Sequence, residues 1–177
     1  GGVAAAAPAL LTGSRAVAWD PSEPEVRLGI IGTGSRGTWI GNLFKQHGGF
    51  RITALADYFR DRVDAAGDQL GVPAGRRFTG LSGYRRLLEA GELDAVAIET
   101  PPCFHPAQAA AAVEAGKHVY LAKPVAVDVP GCLSIEESGK RAAGRGLCFL
   151  VDFQTRATAS FIEAVRRVRA GAIGTLA

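Results

Sequence analysis

From Val26 onward the chain alternates between two textures. Short runs of branched and small apolar residues appear at VRLGII (26–31), RITALAD (51–57), DAVAIET (94–100), HVYLA (118–122) and LCFLVDF (147–153). Between them lie longer segments in which apolar side chains return every three or four positions, as Trp39, Ile40, Leu43 and Phe44 do within 35–48. The first texture predicts strands covered on both faces; the second predicts amphipathic helices. Helices are expected in the same way over 59–71, 84–91, 105–116, 129–144 (with a tolerated Gly139) and 157–171. Gly71, Gly91, Gly116 and Gly171 stand where helices would stop. Strand–helix alternation with short, glycine-bearing connections predicts an α/β fold: a doubly wound, mostly parallel sheet with helices on both faces.

Residues 1–25 fall outside this pattern. Ala4 to Leu11 is apolar but far too short to span a bilayer. Ala16-Val17-Ala18 has the small-x-small form of a signal-peptidase site, and the polar, proline-broken WDPSEPE follows. The segment reads as an export-signal remnant and linker, which implies an exported, periplasmic protein. The alternative is a disordered alanine-rich leader on a cytoplasmic one. No methionine occurs in the 177 residues, so the chain is read as a processed or trimmed piece.

Composition narrows the function classes. At 47% hydrophobic and 21% charged, the chain can build a real core. The net charge is +3, and the arginines are scattered among acids with no basic stripe interleaved with aromatics, which argues against nucleic acid. Cys103, Cys132 and Cys148 are spaced for neither a zinc site nor a disulfide framework, so no metal is expected.

The first strand runs into GTGSRG, which places Gly32, Gly34 and Gly37 in the G-x-G-x-x-G pattern just before a helix. Gly32 would allow the tight turn, Gly34 would let backbone approach a pyrophosphate, and Gly37 would let helix and strand pack closely. The helix N-terminus offers free N–H groups to phosphates. Thr33 lies in the loop, and Ser35 and Arg36 are placed to add hydrogen bonds and charge. Asp57 closes the second strand twenty residues beyond Gly37, where an acid reaches ribose hydroxyls. A carboxylate repels a 2′-phosphate, so NAD is favoured over NADP, with Arg60 nearby weakening that preference.

Ligands of such sheets bind beyond the carboxyl ends of the strands. Glu99 and Thr100 sit at one such end, Pro101 and Pro102 stiffen the exit, and His105 opens the next helix. His105 is therefore a candidate for chemistry, with a structural hydrogen bond as the alternative; His47 and His118 read as structural. Lys123 ends an apolar strand and is followed by Pro124, which restrains the backbone after it. It is one of only four lysines against sixteen arginines. A lysine there can bind a reacting hydroxyl and manage its proton. Thr100, Pro101, His105 and Lys123 complete the candidate cofactor-binding set. Asp128 is read as the cap of the following helix.

RLGIIGTGSRG, ITALADYFRDR and AIETPPCFHPAQAAAAVEAGKHVYLAKPVAVD, in that order, resemble the Gfo/Idh/MocA oxidoreductases over residues 26–177. The resemblance implies a Rossmann domain followed by a substrate domain, and hydride transfer between a nicotinamide and a sugar, inositol or related polyol. It implies a homo-oligomer for the full-length form. It puts Lys123 at the catalytic centre, in the place of the lysine of a Glu-Lys-Pro motif. Here the acid is replaced by Ala122. It also sets Gln154 and Arg156 at the cofactor or the domain junction. The expected division is 1–25 leader and linker, 26–153 dinucleotide-binding domain, and 154–177 connecting helix plus the start of a substrate domain otherwise absent. GAIGTLA (171–177) is expected to begin a new strand. Two other readings share this Rossmann half: an NAD-using glycoside hydrolase and a nonredox NAD-binding protein.

Overall fold

The computed structural model describes residues 20–175. Residues 1–19, and with them the expected signal-peptidase site at Ala16–Ala18, therefore lie outside the described residues. Six strands form one sheet: β1 Val26–Ile31, β2 Phe50–Asp57, β3 Arg77–Thr79, β4 Ala95–Ile98, β5 His118–Leu121 and β6 Phe149–Val151. Their order is β3-β2-β1-β4-β5-β6, and every neighbouring pair is parallel. Parallel neighbours need crossovers. These are α1 Ser35–His47, α2 Arg60–Leu70, α3 Gly83–Glu89, α4 His105–Glu114 and α5 Val129–Gly144. The chain starts in the middle of the sheet, winds to one edge, and returns past β1 to build the other half. The expected doubly wound sheet is thus present, and β1 and β4 meet where the strand order reverses.

Alternation along the strands explains why they read as unbroken apolar runs. Leu28, Ile30, Leu55 and Ala97 pack with Ile40 of α1 and with Val63 and Leu70 of α2. Ile31, Val96, Ile98 and Leu121 face the other way, against Leu87 of α3, Val113 of α4 and Ile135 of α5. Leu55, Val96, Ile98 and Leu121 are wholly buried. Each such side chain stabilises the fold by about 1.5–3 kcal/mol.

The amino edge is closed by an ion pair. Asp94 accepts from the Arg27 N–H at 2.8 Å and from its guanidinium at 2.9 and 2.6 Å, which ties the starts of β1 and β4. These bonds, led by the side-chain one from Arg27, outweigh desolvation and hold the Asp94 carboxyl at about 2.

Three elements differ from the expectations. β3 has only three residues, too few for a period, and a 3-10 turn at Ala74–Arg76 leads into it. Arg77 holds it in place, donating to the carbonyls of Val72 (2.8 Å) and Asp64 (3.1 Å) and to Asp68 (2.7 Å). The last helix is broken into α6 Gln154–Ala157 and α7 Ala159–Arg169, because Thr158 adopts an extended conformation. The strand expected over 171–177 is absent from 171–175. Gly171 and Gly174 both have positive φ, and the Gly174 N–H returns to the Gly171 carbonyl as a turn.

Residues 20–153 form one compact unit, and α6 and α7 belong to another. In the latter, Phe161, Ile162 and Val165 share a helical face and are about half exposed, and Glu163 pairs with Arg166 and Arg167. Among the described residues no helix is long and apolar enough to cross a membrane.

Candidate cofactor site

β1 delivers the chain into Gly32, whose φ of +94° turns it sharply into α1. A Cβ on Gly32 would lie 2.7 Å from the Glu99 carbonyl carbon and the Thr100 nitrogen. A Cβ on Gly37 would lie 1.8 Å from the Gly32 oxygen. Both glycines are thus demanded by the protein's own backbone. Gly34 is different: among the described residues a Cβ there would meet only the Arg62 guanidinium, at 3.5 Å. Its backbone is open to an incoming group. Gly34 is also the N-cap of α1; among the described residues no side chain caps that helix, and its first turn holds no acid. Free N–H donors and the positive end of the helix dipole therefore remain at the loop.

Asp57 is tied to the same loop. Its Oδ2 accepts from the Thr33 N–H at 2.7 Å and its Oδ1 from the Phe59 N–H at 3.0 Å. A cavity of about 650 Å³ opens above these groups. It brings together Gly32, Gly34, Ser35, Arg36, Gly37, Asp57, Thr100 and Pro101. Its remaining wall is largely apolar, with Tyr58, Phe59, Leu81, Tyr84 and Phe104.

Four expected residues lie outside that lining. Thr33 is buried beneath the loop. Arg60 donates to the Thr79 hydroxyl at 3.2 Å and sits 4.0 Å from Asp64. His105 is only 1% exposed, with Nε2 at 2.7 Å from the Thr100 carbonyl. Burial lowers its basicity, partly opposed by backbone contacts to Thr100, Pro124 and Val125. It sits behind the site, and its Nδ1 is buried with no hydrogen-bond partner among the described residues. Lys123 is exposed beyond the carboxyl end of β5. Asp128 caps α5 by accepting from the Gly131 N–H at 2.7 Å.

Arg36 is engaged by acids. Its Nε lies 3.0 Å from Glu99 Oε2, and a terminal nitrogen bonds Asp152. Glu99 lines the cavity wall, yet its side chain is fully buried. Burial is the main cause that pushes its carboxyl up to about 7; Arg36 opposes the shift and Asp152 adds to it. The cation facing Gly34 is Arg62 of α2, which stacks on Phe59 at 5.1 Å from the ring centroid. It makes no ion pair among the described residues. Sequence reading passed over Arg62 and Gln108, whose Oε1 accepts from the Thr100 hydroxyl at 2.6 Å. The only sequence signal for this wall was the aromatic pair Tyr58-Phe59 directly after Asp57.

A family model described as oxidoreductase family, NAD-binding Rossmann fold (Gfo/Idh/MocA) matches residues 26–153. The chain is 34% identical over 154 residues to inositol 2-dehydrogenase 3 of Saccharopolyspora erythraea, covering 85% of this chain and 42% of that protein. It is 34% identical over 119 residues to a glycosyl hydrolase family 109 protein of Solibacter usitatus, covering 63% of this chain and 26% of that one. Scyllo-inositol dehydrogenase from Lactobacillus casei, solved with NAD(H) and scyllo-inositol, superposes with a TM-score of 0.69 at 28% identity, over 85% of this chain and 42% of its own. A 3-ketoreductase from Actinomadura kijaniata, solved with NADP, gives 0.70 at 26% identity, over 85% and 45%. The chain spans less than half the length of each of these proteins.

Proposed function

Because the chain belongs to the Gfo/Idh/MocA oxidoreductase family, we propose that it forms the cofactor-binding half of an NAD-dependent oxidoreductase acting on a hydroxyl of a sugar, inositol or related polyol. One observation carries the reading: the open backbone at Gly34, beside uncapped helix N–H groups, shares a cavity with Asp57. These parts fit a dinucleotide. The loop N–H groups with Ser35 and Arg62 would hold the pyrophosphate, and Asp57 would accept from the adenosine ribose. The aromatic wall from Tyr58 to Phe104 suits a planar base. A carboxylate at Asp57 favours NAD, while the related solved structures carry either NAD(H) or NADP.

When bound, the nicotinamide would supply the hydride acceptor. This chain's part in the chemistry rests on Lys123, whose Nζ would bind the reacting hydroxyl and, as the neutral amine, take its proton to become the ammonium. His105 acts as a positioning residue, bracing the Thr100 turn from behind.

Titrating the chain with NAD⁺ and NADP⁺ tests the reading, with tighter binding of NAD⁺ expected and no binding of either overturning it. In enzyme turning over a polyol, Lys123→Ala is expected to lower kcat about 10²- to 10⁴-fold with little change in NAD⁺ affinity. Near-normal turnover would remove Lys123 from the mechanism. The family 109 relatives favour one second reading, a glycoside hydrolase that oxidises its sugar transiently. Leaving-group release from an aryl glycoside without net NADH formation would select it. Export through the Ala16–Ala18 site belongs to the same proposal, and N-terminal sequencing after secretion from a bacterial host checks it.

A further inference from the structure

At the carboxyl edge, three adjacent strands bring Glu99, Ala122 and Asp152 level. The register pairs Ile98 with Leu121 and Leu121 with Val151, and these three residues come next. Ala97 and Tyr120 face the α1 side of the sheet, and two positions on, Glu99 and Ala122 return to that side. There Arg36, in the first turn of α1, pairs with Glu99 on β4 and Asp152 after β6. Ala122, between the two acids in the row, contributes only a methyl group. Two carboxyls thus share one guanidinium. The Glu99 side chain is 0% exposed, and among the described residues neither of its oxygens has a hydrogen-bond partner, Arg36 Nε lying 3.0 Å from Oε2 as an ion pair.

The groups facing Glu99 are few. α1 gives Arg36, β6 leads to Asp152, and β5 gives Tyr120, close enough for Asp152 and Glu99 to oppose its ionisation. β1 gives Ile31 and Gly32, neither titratable. Asp57 lies beyond β1, His105 bonds the Thr100 carbonyl, and Lys123 follows Ala122.

We infer that Glu99 is a proton-binding positioning residue whose protonation is coupled to occupancy of the dinucleotide site. With Glu99 neutral, Arg36 and Asp152 cancel. With Glu99 ionised, one uncompensated negative charge lies behind the glycine loop, since Glu99 Cβ is 3.4 Å from where a Cβ on Gly37 would stand. That charge opposes a pyrophosphate and acts on Arg36, which lines the same cavity. Linkage makes the effect reciprocal: the bound anion holds the proton on Glu99. The position of the Glu99 carboxyl, pushed up to about 7 chiefly by burial, sets the pH window.

The inference rests on the proposed dinucleotide binding. Calorimetric titration with NAD⁺, at constant ionic strength and in buffers of different ionisation enthalpy, reads both affinity and protons taken up. Wild type should bind about three- to tenfold more weakly near pH 8 than near pH 6 and take up a fraction of a proton at neutrality. Glu99→Gln should bind with the acid-side affinity at every pH and take up none. Asp152→Asn removes a like charge, so Glu99 should ionise at lower pH and the fall in affinity should move with it. Binding by wild type with no pH dependence, or a Glu99→Gln chain that keeps the wild-type dependence, overturns the inference. If Glu99→Gln does not fold, an unmoved midpoint in Asp152→Asn overturns it. Absence of NAD⁺ binding at every pH overturns the proposed function itself.

Discussion

Gly34 and Gly37 are equal letters in the motif, yet they differ in what surrounds them. A methyl group on Gly37 has nowhere to go, with the Gly32 oxygen 1.8 Å away. Gly37→Ala should therefore destabilise the fold, by about 3 kcal/mol as overpacking against backbone usually does. A methyl group on Gly34 meets only Arg62, at ordinary contact distance. Gly34→Ala should melt close to wild type yet bind NAD⁺ about tenfold or more weakly, since the new atom stands where the pyrophosphate would approach. Thermal melts and NAD⁺ titrations of the two variants check the contrast, and equal behaviour in both assays would contradict it. The motif showed where the loop is. It did not show that Arg36 would be drawn to Glu99 and Asp152, because both acids reach it through sheet order and neither is near it in the chain.

Elements were legible wherever one spanned several repeats of its own period. β1 and α5 start and stop where the pattern places them, at 26–31 and 129–144. β3 could not be read in this way, since three residues carry no period and its stability comes from the Arg77 bonds to the α2 region. The pairing of β1 with β4 was equally invisible, and at the amino edge it depends on Asp94. The Asp94 carboxyl is depressed to about 2 in the fold, so its contribution is present above its ordinary value of 3.8 and is lost as pH falls through about 2. In acid titrations followed by circular dichroism, Asp94→Asn should be less stable than wild type at neutral pH. The gap should close between about pH 4 and about pH 2. A gap that is constant over that range would show that the carboxyl titrates as it does in the unfolded chain.

For the molecule as a whole, the buried Glu99 predicts an unusual pH profile. Its folded value of about 7 lies above the ordinary 4.5. Its contribution is therefore fully present below 4.5 and is lost as pH rises through about 7. A shift of that size corresponds to about 3 kcal/mol, since one pKa unit is worth ~1.4 kcal/mol. His105, its basicity lowered by burial, changes stability in the opposite sense below its ordinary value of 6.5. Comparing wild type with Glu99→Gln cancels that term, because both proteins contain His105. In urea titrations the variant should gain on wild type by up to about 3 kcal/mol between about pH 4.5 and about pH 8. A difference that does not change with pH would mean that Glu99 ionises normally in the fold.

The doubly wound sheet, the glycine loop opening a helix, Asp57 at the end of its strand and Lys123 beyond another could all be read in one dimension. Each depends on local periodicity or on spacing along a single crossover, and both are written in consecutive residues. Which strands become neighbours is decided by the burial of two faces at once, and this placed Glu99 beside Ala122 and Asp152, residues more than twenty positions away. That neighbourhood commits Arg36, strips water from Glu99 and leaves Arg62 as the cation facing Gly34. It also puts His105 behind the cavity wall, although its position at a helix start on the ligand side of the sheet suggested chemistry. Charge state and reach are properties of what surrounds a side chain, and those surroundings exist only once the sheet has closed.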